Sequence, residues 1–296
     1  MKTKLLILIF LLVLANQVSF MSRTAHAAPT SLTLTVNTTL ADAIDANPGD
    51  GICETAPGNN ACTLRAAVME ANANPGMDTI IIPAGTYFLT RPSNGIEEYA
   101  LDGDLDLTDS VTIIGAGTAE TILDGNRDVT HARLMQIFNG VYVHLSHLTL
   151  RNGTTELVSG ISGNAGGILN RGSLTLEDVE LLDHQGGGLY NQGIAHLDAV
   201  TYANNTGDFA ALSNNSGGTL TIRNSAINHN ISSGFSNGGG LHIGNGLIAI
   251  INSTITYNQT PGSGGGIYIY QSISAYPTTV HLYNVTVVDN LSLIHI

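Results

Sequence analysis

GGGLHIGNGLIAIINSTITYNQTPGSGGG, residues 238–266, begins and ends on the same glycine triplet, and a third triplet stands at 186–188. Between the triplets lie short alternating runs, an Asn-Ser-Thr step and a polar turn. Set in phase with this unit, Leu145, Leu176, Leu197, Ile222, Ile250 and Leu282 each precede by five residues Leu150, Leu181, Tyr202, Ile227, Ile255 and Val287. Three residues further on stand Gly153, His184, Asn205, Asn230, Asn258 and Asn290. The spacings of 31, 21, 25, 28 and 32 residues between first members are those of a solenoid.

Within one unit, GTLTIRNSAINHN (218–230) alternates in the β manner, with Leu220 and Ile222 on one face and Thr221 and Arg223 on the other. A bend and a second short run follow, and the GGGL or GGGI segment supplies a third. Three short strands per unit with variable loops describe one turn of a parallel β-helix. One such coil cannot bury its own apolar positions, whereas stacking sets like residue above like at roughly 4.8 Å. Asn205, Asn230, Asn258 and Asn290 suit a left-handed bend, and their amides can bond locally or along the stack. The triplets centred on Gly187, Gly239 and Gly265 allow tight backbone where a Cβ would clash. Both sets read as scaffold. A calcium-loaded roll is excluded, because no G-G-x-G-x-D nonapeptide recurs.

The chain opens MKTK, continues LLILIFLLVLA and reaches small residues at Ala25 and Ala27, the order of a secretory signal with cleavage after Ala27. The apolar run is shorter than the roughly 20 residues a spanning helix needs, and no other run is longer. Residues 28–296 then hold seven arginines, no lysine and 23 acids, so 7 − 23 leaves a net charge of −16. Such a chain has no drive toward nucleic acid or anionic lipid. A monomer is expected. Cys53 and Cys62 are the only cysteines, and in an exported chain they should pair across a Pro-Gly-Asn-Asn turn. CTLRAAVMEANA (62–73) is the one convincing helix, capped by Thr63, with Leu64, Val68 and Ala71 on its apolar face. Helix and cysteine loop are placed to cover the open N-terminal end of the solenoid. The reading divides the chain into a signal (1–27), a cap module (28–76), a β-helix (77–290) and a truncated or non-native tail (291–296).

VNTTLADAIDANPGDGICETAPGNNACTLRAAVMEANANPG (36–76) resembles the N-terminal module of bacterial surface proteins called the CSLREA domain, with Thr63 and Ala66 in place of its Ser and Glu. The following coils are similar to the right-handed β-helices attached to that module, and to the glycine-rich repeats of polymorphic outer-membrane proteins. The resemblance spans about residues 35–290. It implies an all-β chain built as a right-handed parallel β-helix solenoid of the pectin-lyase-like kind, with a short N-terminal capping helix. It further implies a secreted or cell-surface location and an adhesion-like role toward surface glycans or a neighbouring or host cell. It brings no catalytic residue.

Two clusters are candidates for chemistry. In LDGDLDLTDS (101–110), Asp104 and Asp106 share one strand face, with Asp102 and Asp109 just beyond. Four acids so close could hold Ca²⁺, which takes oxygen ligands, but the EF-hand order is missing and a solvated strand face is the preferred reading. The second is DGNRDVTHAR (124–133), where Asp124, Arg127, Asp128, His131 and Arg133 form the densest polar mixture of the chain. Were the protein an enzyme, a sugar-cleaving β-helix would need two facing carboxylates, or an acid and an arginine from adjacent coils, and this loop would be the site. His144 and His147, three apart in one strand, should point to opposite faces. The expectation is therefore a scaffold that contacts glycans without cofactor, with a carbohydrate-active enzyme as the alternative.

Overall fold

The structure, a computed structural model, describes residues 30–39, 41–95, 97–155, 157–158, 161–162, 165–207, 212–233, 237–270 and 277–292. The expected signal segment and the last four residues of the expected tail lie outside them. The chain is a right-handed parallel β-helix with a short N-terminal helix. Three parallel sheets line it. Sheet A begins with Thr33–Thr35 and Asp78–Ile81 and ends with Gly246–Ile251 and Thr278–Tyr283. Sheet B stacks seven three-residue strands, from Leu105–Leu107 through Met135–Ile137, Ile168–Asn170, Leu189–Asn191, Leu212–Asn214 and Leu241–Ile243 to Ile267–Ile269. Sheet C holds four two-residue strands and is confined to the later coils, from Thr206–Gly207 to Leu291–Ser292.

The phase read from the sequence is the register of the structure. Leu145, Leu176, Leu197, Ile222, Ile250 and Leu282 lie directly over one another in sheet A. So do Leu150, Leu181, Tyr202, Ile227, Ile255 and Val287. The first five members of each row are fully buried. A buried leucine or isoleucine contributes about 1.5–3 kcal/mol, so two complete rows alone form a substantial core. In the last coil Leu282 is 49% and Val287 44% exposed.

Two expectations about the turns need correction. Asn205, Asn230 and Asn258 do not take the left-handed bend; the residue before each does, at Asn204 (φ 58°), His229 (φ 54°) and Tyr257 (φ 57°), as Asp289 (φ 54°) does before Asn290. The asparagines instead turn inward, where the amide that bonds along the stack is their whole role. Within the three glycine triplets, the left-handed positions are Gly186, Gly187, Gly238 and Gly264. Gly239 and Gly265 have no such bend: a Cβ on Gly239 would meet the Gln259 amide at 2.7 Å, and one on Gly265 the Leu291 amide at 2.8 Å. Close stacking, not turning, requires glycine there.

The cap helix is Leu64–Ala73, and the Thr63 hydroxyl accepts from the Ala66 amide at 3.0 Å as the sequence suggested. It is not amphipathic in place, because Leu64 through Ala71 are all buried, Arg65 and Glu70 included. Arg65 grips Asp42 through Nε (2.7 Å) and Nη2 (3.1 Å), and donates to the carbonyls of Ala100 (3.0 Å), Gly103 (2.8 Å) and Asp104 (3.1 Å). Glu70 accepts the Gly49 amide at 2.6 Å and the Gly51 amide at 2.5 Å. Cys53 and Cys62 form the expected disulfide. Helix and cysteine loop are thus one clamped unit, joined to the first coils by the Arg65 guanidinium and by Asn72, which donates to the Asp106 carbonyl at 2.7 Å and accepts the Thr108 amide at 2.9 Å.

Candidate functional site

The acids of 102–109 are not a solvated face. Asp104 and Asp106 do share the outward side of Leu105–Leu107, but Asp104 is 7% and Asp106 only 1% exposed. The chain at 97–103 folds over them, and the Ala100 amide donates to Asp106 at 3.4 Å. Arg133, one coil on, approaches Asp104 at 3.2 Å and Gln136 at 3.0 Å. Burial first, then the charges of Asp104 and Glu97, push the Asp106 carboxyl up to about 9, against a smaller opposing pull from Arg133. At neutral pH Asp106 is a carboxylic acid. Asp102 turns away to Asn94 (2.9 Å), and Asp109 to the Gly76 amide (3.0 Å). The four therefore do not gather, and among the described residues no group of three or more His, Cys, Asp or Glu is arranged to hold a metal ion.

The polar stretch 124–133 is likewise dispersed. Asp124, at the end of strand Thr121–Asp124, accepts from Arg151 Nε (2.7 Å) and Asn152 Nδ2 (2.9 Å) on the next coil. Arg127 begins a single helical turn and donates to the Asp183 carbonyl at 2.6 Å. Asp128 is exposed, and His131 ends the turn in a left-handed conformation (φ 52°). Arg133 belongs with Asp104 instead. An acid and an arginine from adjacent coils thus meet twice, Asp124 with Arg151 and Asp104 with Arg133. Sequence inspection paired neither, because each contact spans 27 or more residues.

The asparagines form ladders. Asn205 Nδ2 donates to Asn230 Oδ1 (3.0 Å), Asn230 to Asn258 (2.9 Å) and Asn258 to Asn290 (2.9 Å). A second ladder joins Asn170, Asn191 and Asn214 at 2.7 Å per step. His184 heads the first. It is wholly buried, accepts the Gly153 amide on Nδ1 (3.1 Å) and faces the Leu150 carbonyl through Nε2 (3.1 Å). Burial lowers it to about 3, so it is neutral. His144 and His147 do not oppose each other as their spacing suggested. A left-handed corner at His147 (φ 56°) resets the alternation, and they lie 3.4 Å from Glu177 and 2.9 Å from Asp178 of the next coil.

A row the sequence reading missed runs along the outside of sheet B. The flanking residues of each strand, such as Leu189 with Asn191 and Leu212 with Asn214, point into the core. The middle residues Asp106, Gln136, Leu169, Tyr190, Ser213, His242 and Tyr268 are in direct register, one per coil. The first three are covered, while Tyr190, His242 and Tyr268 are part-exposed. Ser213 is the floor between them, its hydroxyl 3.4 Å from His242 Nδ1 and bonded to Asn215 Nδ2 at 2.8 Å. His242 and Tyr268 stack with ring centres 5.6 Å apart. Arg171, Gln192 and Ser216 form a polar line on the adjoining turns, at 3.4 Å per step. The available signal was the residue after each GGGL or GGGI start: Tyr190, His242 and Tyr268.

No protein-family model matches the chain. No curated protein matches it either. Among solved structures it is similar to the pectin methylesterase from Aspergillus niger in deglycosylated form, at 13% identity over 88% of this chain and 87% of that one, with a TM-score of 0.43. It is also similar to a pectate lyase, at 11% identity over 89% of this chain and 78% of that one, with a TM-score of 0.33. At such identities the likeness is one of fold alone. Fold and row together give a parallel β-helix with one outward residue per coil in register along one sheet, part-exposed at Tyr190, His242 and Tyr268.

Proposed function

We propose that the protein is a secreted or cell-surface β-helix that holds extended glycan chains on the outside of sheet B without cleaving them. The observation that carries this reading is the row Tyr190, Ser213, His242 and Tyr268, in which part-exposed aromatic rings stand in register on either side of a buried serine along one face. An extended polymer lying along that face meets an aromatic ring on three of its four coils. The leader-like residues 1–27 and the likeness of 36–76 to surface-protein modules support an exported location. Among the described residues no helix is long and apolar enough to cross a membrane. The test is the full chain run with a panel of polysaccharides, scored for retention and for new reducing or unsaturated ends. Retention without new ends supports the proposal; no retention on any glycan removes it.

A second reading has an observation of its own. The same row starts at Asp106, a protonated acid beside Asp104 and close to an arginine of the next coil. A carboxyl held in its acid form is one half of the equipment of glycoside hydrolysis, the other being a second carboxylate. New reducing ends that vanish in Asp106→Asn, with glycan retention intact, would make the protein a carbohydrate-active enzyme.

A further inference from the structure

We propose that the glycan held on sheet B is a neutral polysaccharide, seated on Tyr190, His242 and Tyr268, rather than a uronic-acid polymer. The inference rests on the glycan-contact reading and adds the ligand class. A polyuronate carries one negative charge per sugar and needs a cation facing it at each step, from the protein or from a bound metal. From residue 172 to 296 the sequence has no lysine and one arginine, against seven acids. That arginine, Arg223, ends a strand of sheet A, in register with Asp198 and Ile251. Four coils of the row therefore lack any Lys or Arg of their own in sheet B. Their histidine supplies no charge either, because burial holds His242 toward its neutral form. Arg171, one coil earlier, is bonded to Gln192 on the turn.

What the row does offer fits an uncharged sugar. A pyranose has an apolar C–H face and a hydroxyl rim, and a tyrosine ring with a polar tip complements both. Gly264 and Gly238 lie against the base of Tyr268: a Cβ on Gly264 would come within 2.9 Å of the Tyr268 Cβ, and one on Gly238 within 3.2 Å, so the triplets leave room for Tyr268 at its place in the row.

The experiment is affinity electrophoresis of the full chain in gels containing glucomannan (neutral), polygalacturonate (anionic) or chitosan (cationic), at low and high salt. Glucomannan should retard the protein independently of salt. Tyr268→Ala and His242→Ala, each checked for an unchanged circular-dichroism melt, should weaken that retardation roughly tenfold, about 1.4 kcal/mol. Arg171→Gln should leave it unchanged. Salt-sensitive retardation by polygalacturonate that Arg171→Gln abolishes would overturn the inference. So would preferential retardation by chitosan; in both cases the glycan-contact reading survives. Glucomannan retention untouched by either row variant would overturn the inference and remove sheet B as the contact face. Absence of retardation in every gel would sink both.

Discussion

The two ends of this solenoid are held by different chemistry. From the cap to Arg151 the polar interior is ionic: Arg65 with Asp42, Arg133 with Asp104, Arg151 with Asp124. From His184 onward it is neutral, an amide ladder that repeats from coil to coil. The difference follows from geometry. At the capped end, irregular chain leaves carbonyls of Ala100, Gly103 and Asp104 at unrelated angles. A guanidinium with five donors in one plane can reach several of these at once. In the repeats every coil presents the same partner at the same height. An amide, which donates and accepts, can then continue without adding net charge to the core. Charge serves the singular junction, and the amide serves the repeat.

The sharpest way to break this division is Arg65→Met. It leaves Asp42 buried without its partner and three carbonyls without a donor, a loss of about 3–5 kcal/mol. Urea denaturation should show it as a lower midpoint. A loss below about 1 kcal/mol would mean that the cap is passive. Asn230→Ala strikes the other region. It removes bonds to Asn258, to the Tyr202 carbonyl and from the Asn205 amide, all buried, and should cost about 2–4 kcal/mol. Asn290→Ala, at a part-exposed member of the ladder, should cost less than half as much. Equal costs would show that the ladder acts locally and not as a stack.

These contrasts explain what was legible in the sequence. The repeat was, down to register, because Leu176 over Leu145 needs only a period and an alternation. The helix cap at Thr63 was local and equally readable. The burial of Asp104 and Asp106 was not, because the segment covering them contains no apolar pattern and its contacts are set by Arg65 and Arg133. The left-handed corners escaped for another reason. Ala199 and Tyr257 are not residue types that announce such a bend, and where Asn or Asp takes it, as at Asn204 and Asp289, a second polar residue, Asn205 or Asn290, stands beside it in the sequence. The sheet B row was hidden because its members, Tyr190, Ser213, His242 and Tyr268, share a position and not a chemistry.

Acid and alkali should separate the two regions. His184 has a folded value near 3 against an ordinary 6.5, so the unfolded chain binds the extra proton. Its contribution is intact above about pH 6.5 and is lost as pH falls toward 3, at up to about 1.4 kcal/mol per unit. Asp106 runs the opposite way. Raised from 3.8 to about 9, it binds its proton in the folded state, so its contribution is full below about pH 4 and is lost as pH rises through 9. His184→Asn should flatten the acid limb alone, since an amide there could take the Gly153 amide and the Leu150 carbonyl as Asn205 takes its own partners. Asp106→Asn should remove a decline that runs from about pH 4 to 9, the part above pH 6.5 belonging to Asp106 and not to His184. Stability curves from pH 3 to 10 decide it; a His184→Asn effect on the slope above pH 6.5, or an unchanged slope there in Asp106→Asn, would overturn the assignment.

The smallest effect concerns the outer corner of sheet A, where one residue per coil is left-handed: His147, Asp178, Ala199, Asn224, Asn252 and Asn284, with φ between 50° and 56°. Asparagine tolerates this conformation and alanine does not, because its Cβ approaches the following carbonyl. The exposed asparagines also bond along the row, Asn284 to Asn252 at 3.0 Å and Asn224 to Asp198 at 2.8 Å. Ala199→Asn should therefore stabilise the protein by about 0.5–1 kcal/mol, and Ala199→Gly by less, since glycine relieves the corner but loses entropy. The two melting temperatures separate strain from bonding. If asparagine and glycine gain equally, only the corner conformation matters, and the outer row is a consequence of the turn. If asparagine gains more, an amide ladder stabilises the solenoid even where water competes for it.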